Sequence, residues 1–432
     1  MSKTARRVGA FAAAALIATT VTACGSPGEG SSDGDAITVV LSNHPWQRAL
    51  EPLISQFEEE SGIKVNVQTF AEQQARDRIL LNLQSKSSAM DVFMTLPSRE
   101  GPQFSDAGYY QALDDYLDEA PDTYMVEDFS PSAIDGMKDA DGNIIAVPIN
   151  IEGPVLYYRT DVFEELGLDA PETIEDVLAA AKAIDDAGEI TPITLRGAAA
   201  AIAFDFGPFF HGEGLEWTND DGTANFDQPG AVKAIDEYAT LARDFGPDGV
   251  INYSFTESSN LFAQGQVAMS LESSNELNSV FDPENSTVSD MVGVAKMPAG
   301  SVEAAPTALS WGVTMSPFSE KKDAAWEFLQ WATSPEIQLE LTKAEIAPPR
   351  DSVAQDPTYV ENFSTPAQQQ WLEAVADIQA NGHTEVGPVG TKAPSMRETL
   401  GNAIGKVILG EASAEQAAEE IQKTLNEQLD KK

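Results

Sequence analysis

The stretch AITVVLSNHPWQRALEPLISQFEEESGIKVNVQTF, residues 36–70, decides the fold class. Its opening, AITVVLS, is an apolar run of strand length and β-branched character. In WQRALEPLISQFEEE, residues 46–60, Leu50, Leu53, Ile54 and Phe57 recur at helical spacing, and Ser61-Gly62 supplies the stop. IKVNVQTF then alternates as a half-buried strand. A second helical pattern over residues 71–86 carries Ile79, Leu80 and Leu83, and DVFMTL opens a buried strand at Asp91. Strand, helix, strand, helix, strand implies parallel pairing and an α/β layered architecture.

The same alternation continues downstream. DADGNIIAVPIN, residues 139–150, reads as a turn opening a strand. Asp139, Asp141 and Asn143 have a faint likeness to a calcium loop. That loop needs glycine at its sixth position and glutamate at its twelfth, whereas Gly142 is fourth here and Asn150 twelfth. GPVLYYRTDVFEELG gives a strand and a helix, PETIEDVLAAAKAIDDAG a helix with Ile174, Val177, Leu178 and Ala181 on one face, and ITPITLRG a strand. DQPGAVKAIDEYATLARDFG is a further helix, and SNLFAQGQVAMSLESS a helix, a glycine turn and a strand. VGVAKMP and ALSWGVTMSP are strand-like, KKDAAWEFLQWAT and SPEIQLELTK helical, and the last hundred residues all helical. Gly401 and Gly405, four apart on a helix, imply the close approach of another element.

The only cysteine, Cys24, lies outside this pattern. MSKTARR is basic, Val8 to Ala18 is apolar or small, and TTVTA is small and uncharged: the three parts of a secretory signal peptide, residues 1–23. Val21-Thr22-Ala23-Cys24 resembles a bacterial lipobox, which implies lipidation of Cys24 and a membrane anchor. GSPGEGSSDGD then reads as a flexible tether, so that residues 24–35 form a lipidated leash. About 400 residues remain, enough for two domains. The 69 acids against 26 Lys and Arg give a net charge of −43, which excludes the basic face nucleic-acid binding requires.

Catalytic signatures are missing from the sequence. His44, His211 and His383 are isolated, with no metal-ligand spacing. There is no G-x-S-x-G, P-loop or dinucleotide fingerprint. Ser319 to Lys322 matches S-x-x-K by count but reads more simply as a helix cap with solvated lysines. No cofactor or metal is expected, and the chain is read as a binding protein rather than an enzyme.

Several stretches carry a family resemblance: FEEESGIKVNV, DVFMTLPSREG, DGNIIAVPINIEGPVLYYRTDVFEELGL, FAQGQVAMSLES, SWGVTMSP with KKDAAWEFLQWATSPEIQ, and IAPPRDSV. In this order the chain resembles the extracellular solute-binding proteins of carbohydrate ABC importers, family 1, over nearly all of residues 36–429. The resemblance implies a two-lobed periplasmic-binding-protein-like α/β fold of type II. Each lobe would be a mixed sheet flanked by helices, with a hinge between lobes and a helical C-terminal region. It implies lobes of residues 36–148 plus 297–345 and 149–296 plus 346–432, with INIEG as the first crossing. It also implies a monomer outside the cytoplasm, anchored to the outer face of the membrane, that delivers a carbohydrate or sugar alcohol to permease subunits by hinge closure. A secreted glycan hydrolase, or the same fold with a polyamine or other solute, are the alternatives.

In open α/β lobes ligands lie beyond the carboxyl ends of strands. That points to His44 and Trp46 after the first strand, Gln73 after the second, and Ser98, Arg99 and Glu100 after the third. Asn150 and Glu152 lie in the crossing, and Arg196, Glu272 and Ser273 at strand ends of the other lobe. The resemblance adds Trp311 and Arg350. Tryptophans offer flat apolar platforms with one polar handle, and charged side chains make the stronger hydrogen bonds to hydroxyls. Trp326 and Trp331 fall within a helical pattern and are read as core.

Overall fold

In the computed structural model, which describes residues 36–344 and 346–429, the opening stretch folds as its pattern dictates. β1 (Ile37–Ser42) and β2 (Val65–Phe70) run parallel, in register from Ile37↔Val65 to Ser42↔Phe70. β3 (Val92–Thr95) joins β1 on its other side, also parallel. The first helix breaks into Pro45–Leu50, a 3-10 turn Glu51–Leu53 and Ile54–Ser61, because Pro52 has no N–H to continue the ladder. Gly62, at φ 75°, ends it in the left-handed conformation. The signal segment 1–23, the Cys24 anchor and the tether 24–35 lie outside the described residues.

β4 (Val147–Pro148) is only two residues long. β5 (Pro154–Arg159), β6 (Thr191–Thr194), β7 (Val267–Ser273) and β8 (Val292–Ala295) form a second sheet ordered β6-β7-β5-β8. Within it β6 and β7 are parallel, and β5 is antiparallel to both β7 and β8. β9 (Gly312–Met315) returns to the first sheet between β3 and β4, antiparallel to both, giving the order β2-β1-β3-β9-β4. Helices flank both mixed sheets, and below each sheet with its helices is called a lobe.

The chain crosses between the sheets at residues 149–153 and again at 296–311. The two crossings pair antiparallel at Glu152↔Leu309, with Glu152 N–H to Leu309 O at 2.9 Å and the reverse bond at 2.6 Å. A third segment joins them through Ile151 N–H to Ala347 O at 3.3 Å. Asp139 anchors the loop before β4 by accepting from the Asp141 and Asn143 amides at 3.0 and 2.9 Å, so its acids do turn chemistry. Lys321 and Lys322 are not solvated as expected: one donates to Ala36 O, the other to Gln111 Oε1 at 2.7 Å.

The helix Ala199–His211 was not legible in the sequence. AAAIAFDFGPFFH is apolar on every side, as a helix buried all round must be, and Gly207 and Pro208 mask its period. It packs against the helix Ala393–Ile408, and here the glycine pair finds its use. A Cβ on Gly401 would lie 2.0 Å from Ala199 O, and one on Gly405 3.0 Å from Ile251 Cδ1. Gly401→Ala is therefore expected to destabilise the fold by about 1–3 kcal/mol, as overpacking does, and Gly405→Ala by less. Urea unfolding of the two variants checks the order. Phe204, on the same helix, is one of several residues that cross the division of cores. It lies in the apolar cluster of the first lobe with Trp311, Leu309 and Ile149.

Candidate functional site

Strand register brings the key residues together. Thr95 at the end of β3 pairs with Gly312 at the start of β9, so Trp311 sits beside Ser98, Arg99 and Glu100. In the second sheet Ser273, ending β7, pairs with Pro154, opening β5. That places Ser273 and Glu272 next to the crossing residue Glu152. β6 runs parallel to β7, which delivers Arg196 to the same end.

The result is one continuous polar chain across the seam between the lobes. Arg99 lies 5.5 Å from the Trp311 ring centre, and Trp311 Nε1 donates to Glu152 Oε1 at 3.2 Å. Glu152 Oε2 accepts from Ser273 Oγ, and the Ser273 amide donates to Glu272 Oε1 at 2.7 Å. Glu272 receives the Arg196 guanidinium, whose Nε also lies 3.6 Å from Asp205. Asn150 completes the crossing by accepting from Trp311 N–H at 3.2 Å. Its Nδ2, with Ser98 Oγ and Ser310 Oγ, is buried without a protein hydrogen-bond partner. Such atoms are uncommon and need an explanation.

The electrostatics differ on the two sides. On the first lobe Glu100 is buried, which alone would raise its pKa, but Arg99 and Arg76 outweigh burial and hold it low. His44 is pushed down to about 3 by burial, with Arg48 adding to the effect. It stays neutral, accepts from Trp46 N–H at Nδ1, and packs 5.5 Å from Trp311. On the second lobe, burial pushes Glu152 up to about 7, with Glu276 and Glu272 adding repulsion against the pull of Ser273 and Arg196. Burial raises Asp205 and Glu276 as well, each helped by Glu272.

Glu152 thus ties stability to pH. An acid whose folded pKa is raised binds its proton more tightly in the folded state. Its contribution is full below the unfolded value near 4.5 and is lost as pH rises through 7. The span is worth about 3 kcal/mol. Glu152→Gln carries no charge at any pH. Relative to the wild type it is expected to gain about that much between pH 4.5 and pH 8, read by urea unfolding at both. A difference that does not change with pH rules the linkage out.

Not every residue singled out from the sequence joins this chain. Trp46 is fully buried in the first-lobe core, beneath the seam, and presents no platform. Gln73 is exposed on the helix Glu72–Gln84 and bonds Asp77 at 2.9 Å. Arg350 is fully buried, with Nε on Thr333 O at 2.9 Å, Nη1 on Met125 O at 2.8 Å and Asp128 at 3.5 Å. Its guanidinium also covers Phe129 at 3.7 Å. These contacts fasten a loop, and Nη2 is buried without a protein hydrogen-bond partner. Asp205 and Arg397 were missed. The lone acid in the apolar run 199–211 was a usable signal for the first, whereas Arg397 sits in an ordinary helical pattern. Among the described residues, His211, Glu216 and His383 bring three donor atoms within 4.8 Å. The two rings stack face to face at 4.0 Å, and His211 Nδ1 is held at 2.8 Å by Leu215 O, an arrangement suited to packing.

Comparison with known proteins bears on the family and the fold. Residues 43–339 match the model of the bacterial extracellular solute-binding protein family. The mannitol-binding protein of Pseudomonas aeruginosa is 26% identical over 409 residues, covering 89% of this chain and 90% of that one. A solute-binding protein of Agrobacterium vitis S4, solved with bound D-mannitol, is 26% identical with a TM-score of 0.76, covering 91% of this chain and 97% of its own. One from Agrobacterium radiobacter K84, solved with ribitol, reaches a TM-score of 0.81 at 24% identity over 92% of this chain and 99% of its own. Both solved structures are described as ABC transporter solute-binding proteins, and no helix among the described residues here is long and apolar enough to cross a membrane. With 297 of its 432 residues matched by the family model, the chain belongs to the bacterial extracellular solute-binding proteins.

Proposed function

We propose that this protein captures a polyhydroxylated ligand, a sugar or sugar alcohol, in the seam between its lobes and presents it to the permease subunits of an ABC importer. The polar chain from Arg99 through Trp311, Glu152, Ser273 and Glu272 to Arg196 carries the reading. It joins residues of both lobes around an indole with apolar faces. Asn150 Nδ2, Ser98 Oγ and Ser310 Oγ supply buried polar atoms that ligand hydroxyls would satisfy. Ligand sites favour clefts between domains. A ligand gripped by both sides favours the closed arrangement by its differential affinity.

In this reading the lobes are residues 36–148 plus 297–345 and 149–296 plus 346–432. His44, Glu100 and Ser98 shape the first wall, and Glu152, Arg196, Glu272 and Ser273 the second. The protein works as a monomer outside the cytoplasm, without catalysis, metal or cofactor. Cys24 carries the lipid, residues 1–23 are removed, and residues 24–35 give the lobes reach from the bilayer. Two or more acyl chains make such an anchor stable. Titration calorimetry with a panel of sugars and alditols, ribitol and D-mannitol included, tests the function: binding without product release is expected, and turnover of any of them would refute it. Labelled fatty acid should enter the wild-type chain and not Cys24→Ala.

A further inference from the structure

Arg397 stands on the helix Ala393–Ile408, packed in the core of the second lobe. Its guanidinium reaches across the seam to the first lobe, where Nη2 donates to Ser98 O at 3.0 Å. The residue is 7% exposed, and its Nε has no hydrogen-bond partner in the protein. Beside it, Ser98 Oγ is also buried and unpartnered. Ser98 lies in the first turn of the helix Pro97–Asp106, where the helix dipole favours negative charge.

The neighbouring carboxylates are taken by other arginines. Arg99 bonds both Glu72 and Glu100, and Arg76 lies 3.5 Å from Glu100. Arg76 also feels Asp77, whereas Arg397, near the same group, has no carboxylate within ion-pair distance among the described residues. The acids of the second lobe give no relief, because Glu272 and Asp205 gather on Arg196 instead. Burial, with Arg99 adding repulsion, pulls Arg397 down to about 9, as expected of a cation lacking a countercharge. Burying a charge is costly unless it is paired. A neutral hydroxyl can accept the Nε hydrogen bond but leaves the charge, whereas a carboxylate does both and matches the planar guanidinium edge.

Resting on the functional reading above, the geometry points to a carboxylate on the ligand as the partner of Arg397. The cargo is then an acidic sugar derivative, an aldonate or a uronate, rather than a neutral polyol. Arg397 serves at once as the acid-recognising residue and as a link holding the second lobe on the first.

Matched pairs differing only in CH2OH against COO⁻ test this: ribitol and D-ribonate, D-mannitol and D-mannonate, D-galactose and D-galacturonate, each titrated calorimetrically into the purified full chain. In at least one pair the acid should bind about tenfold to a hundredfold more tightly, the range of a charge-assisted bond. Arg397→Gln should abolish that preference for the acid over its neutral partner, whatever the common loss of affinity from the missing seam contact, and Arg397→Lys should restore part of it. Neutral members that bind as well as or better than their acids overturn the assignment of a carboxylate and leave the functional reading standing. If no member of any pair binds, both fall. The wild-type pair ratios decide the matter even where a variant folds poorly.

Discussion

Replacing Trp311 with alanine should weaken ligand binding by about a hundredfold or more. A buried tryptophan at the centre of a recognition site is the kind of residue whose truncation costs about 2–4 kcal/mol, and 2.7 kcal/mol is already about a hundredfold. Trp311 has that position in the proposed site. It faces His44 and Arg99 from the first lobe, and its Nε1 donates to Glu152 in the crossing. Loss of the ring removes the apolar platform and the link along the polar chain together. Trp311→Phe separates the two. It keeps a flat apolar surface and loses only the donor, so about a fivefold to tenfold loss is expected, the worth of one hydrogen bond. Calorimetry with whichever sugar, alditol or sugar acid binds the wild type gives the comparison, and thermal unfolding checks that both variants are folded. Unchanged affinity in Trp311→Ala removes this residue from the site.

Arg350→Ala should do the reverse: lower the unfolding free energy by about 3–5 kcal/mol and leave ligand affinity within about twofold. The arginine has no solvent exposure and spends its donors on Thr333 O, Met125 O and Asp128. Truncating it takes the donor from the buried Thr333 carbonyl, loosens Met125 and Asp128, which keep bonds from the Asp128 amide and from Ser352, and uncovers Phe129 and Tyr124, over which the guanidinium lies at 3.7 and 4.8 Å. Denaturant unfolding and calorimetry on the same preparation read both quantities. A variant of wild-type stability that binds weakly would return Arg350 to the ligand site, as the family resemblance implied.

The contrast between these two residues shows where sequence reading works. Local periodicity is a short-range property, so the β1 to β3 layer and the long helices Ile174–Ala187 and Pro229–Phe245 could be read directly. Strand ends also named most of the seam, since Arg99 and Arg196 follow their strands by at most a few residues and Glu272 and Ser273 are the last two of theirs. Long-range register was not readable. Nothing in SWGVTMSP says that β9 enters antiparallel between β3 and β4, and that insertion is what sets Trp311 against Arg99. PSRE, placed from the sequence only as the stretch after the third strand, forms the first turn of Pro97–Asp106. Arg350 and Arg397 look alike in sequence. One is closed in by carbonyls and an acid, the other has no carboxylate within ion-pair distance among the described residues, and only three-dimensional packing distinguishes them.

The placement of Phe204 bears on how the unloaded receptor rests. Parting the halves would wet a benzyl group now held among Trp311, Leu309 and Ile149, at a cost of about 1.5–3 kcal/mol. That term weakens as water cools, while contacts such as Arg397 to Ser98 do not share its temperature dependence. A chilled cell would therefore carry more of these receptors agape, and a warm one more of them already drawn shut before any cargo arrives.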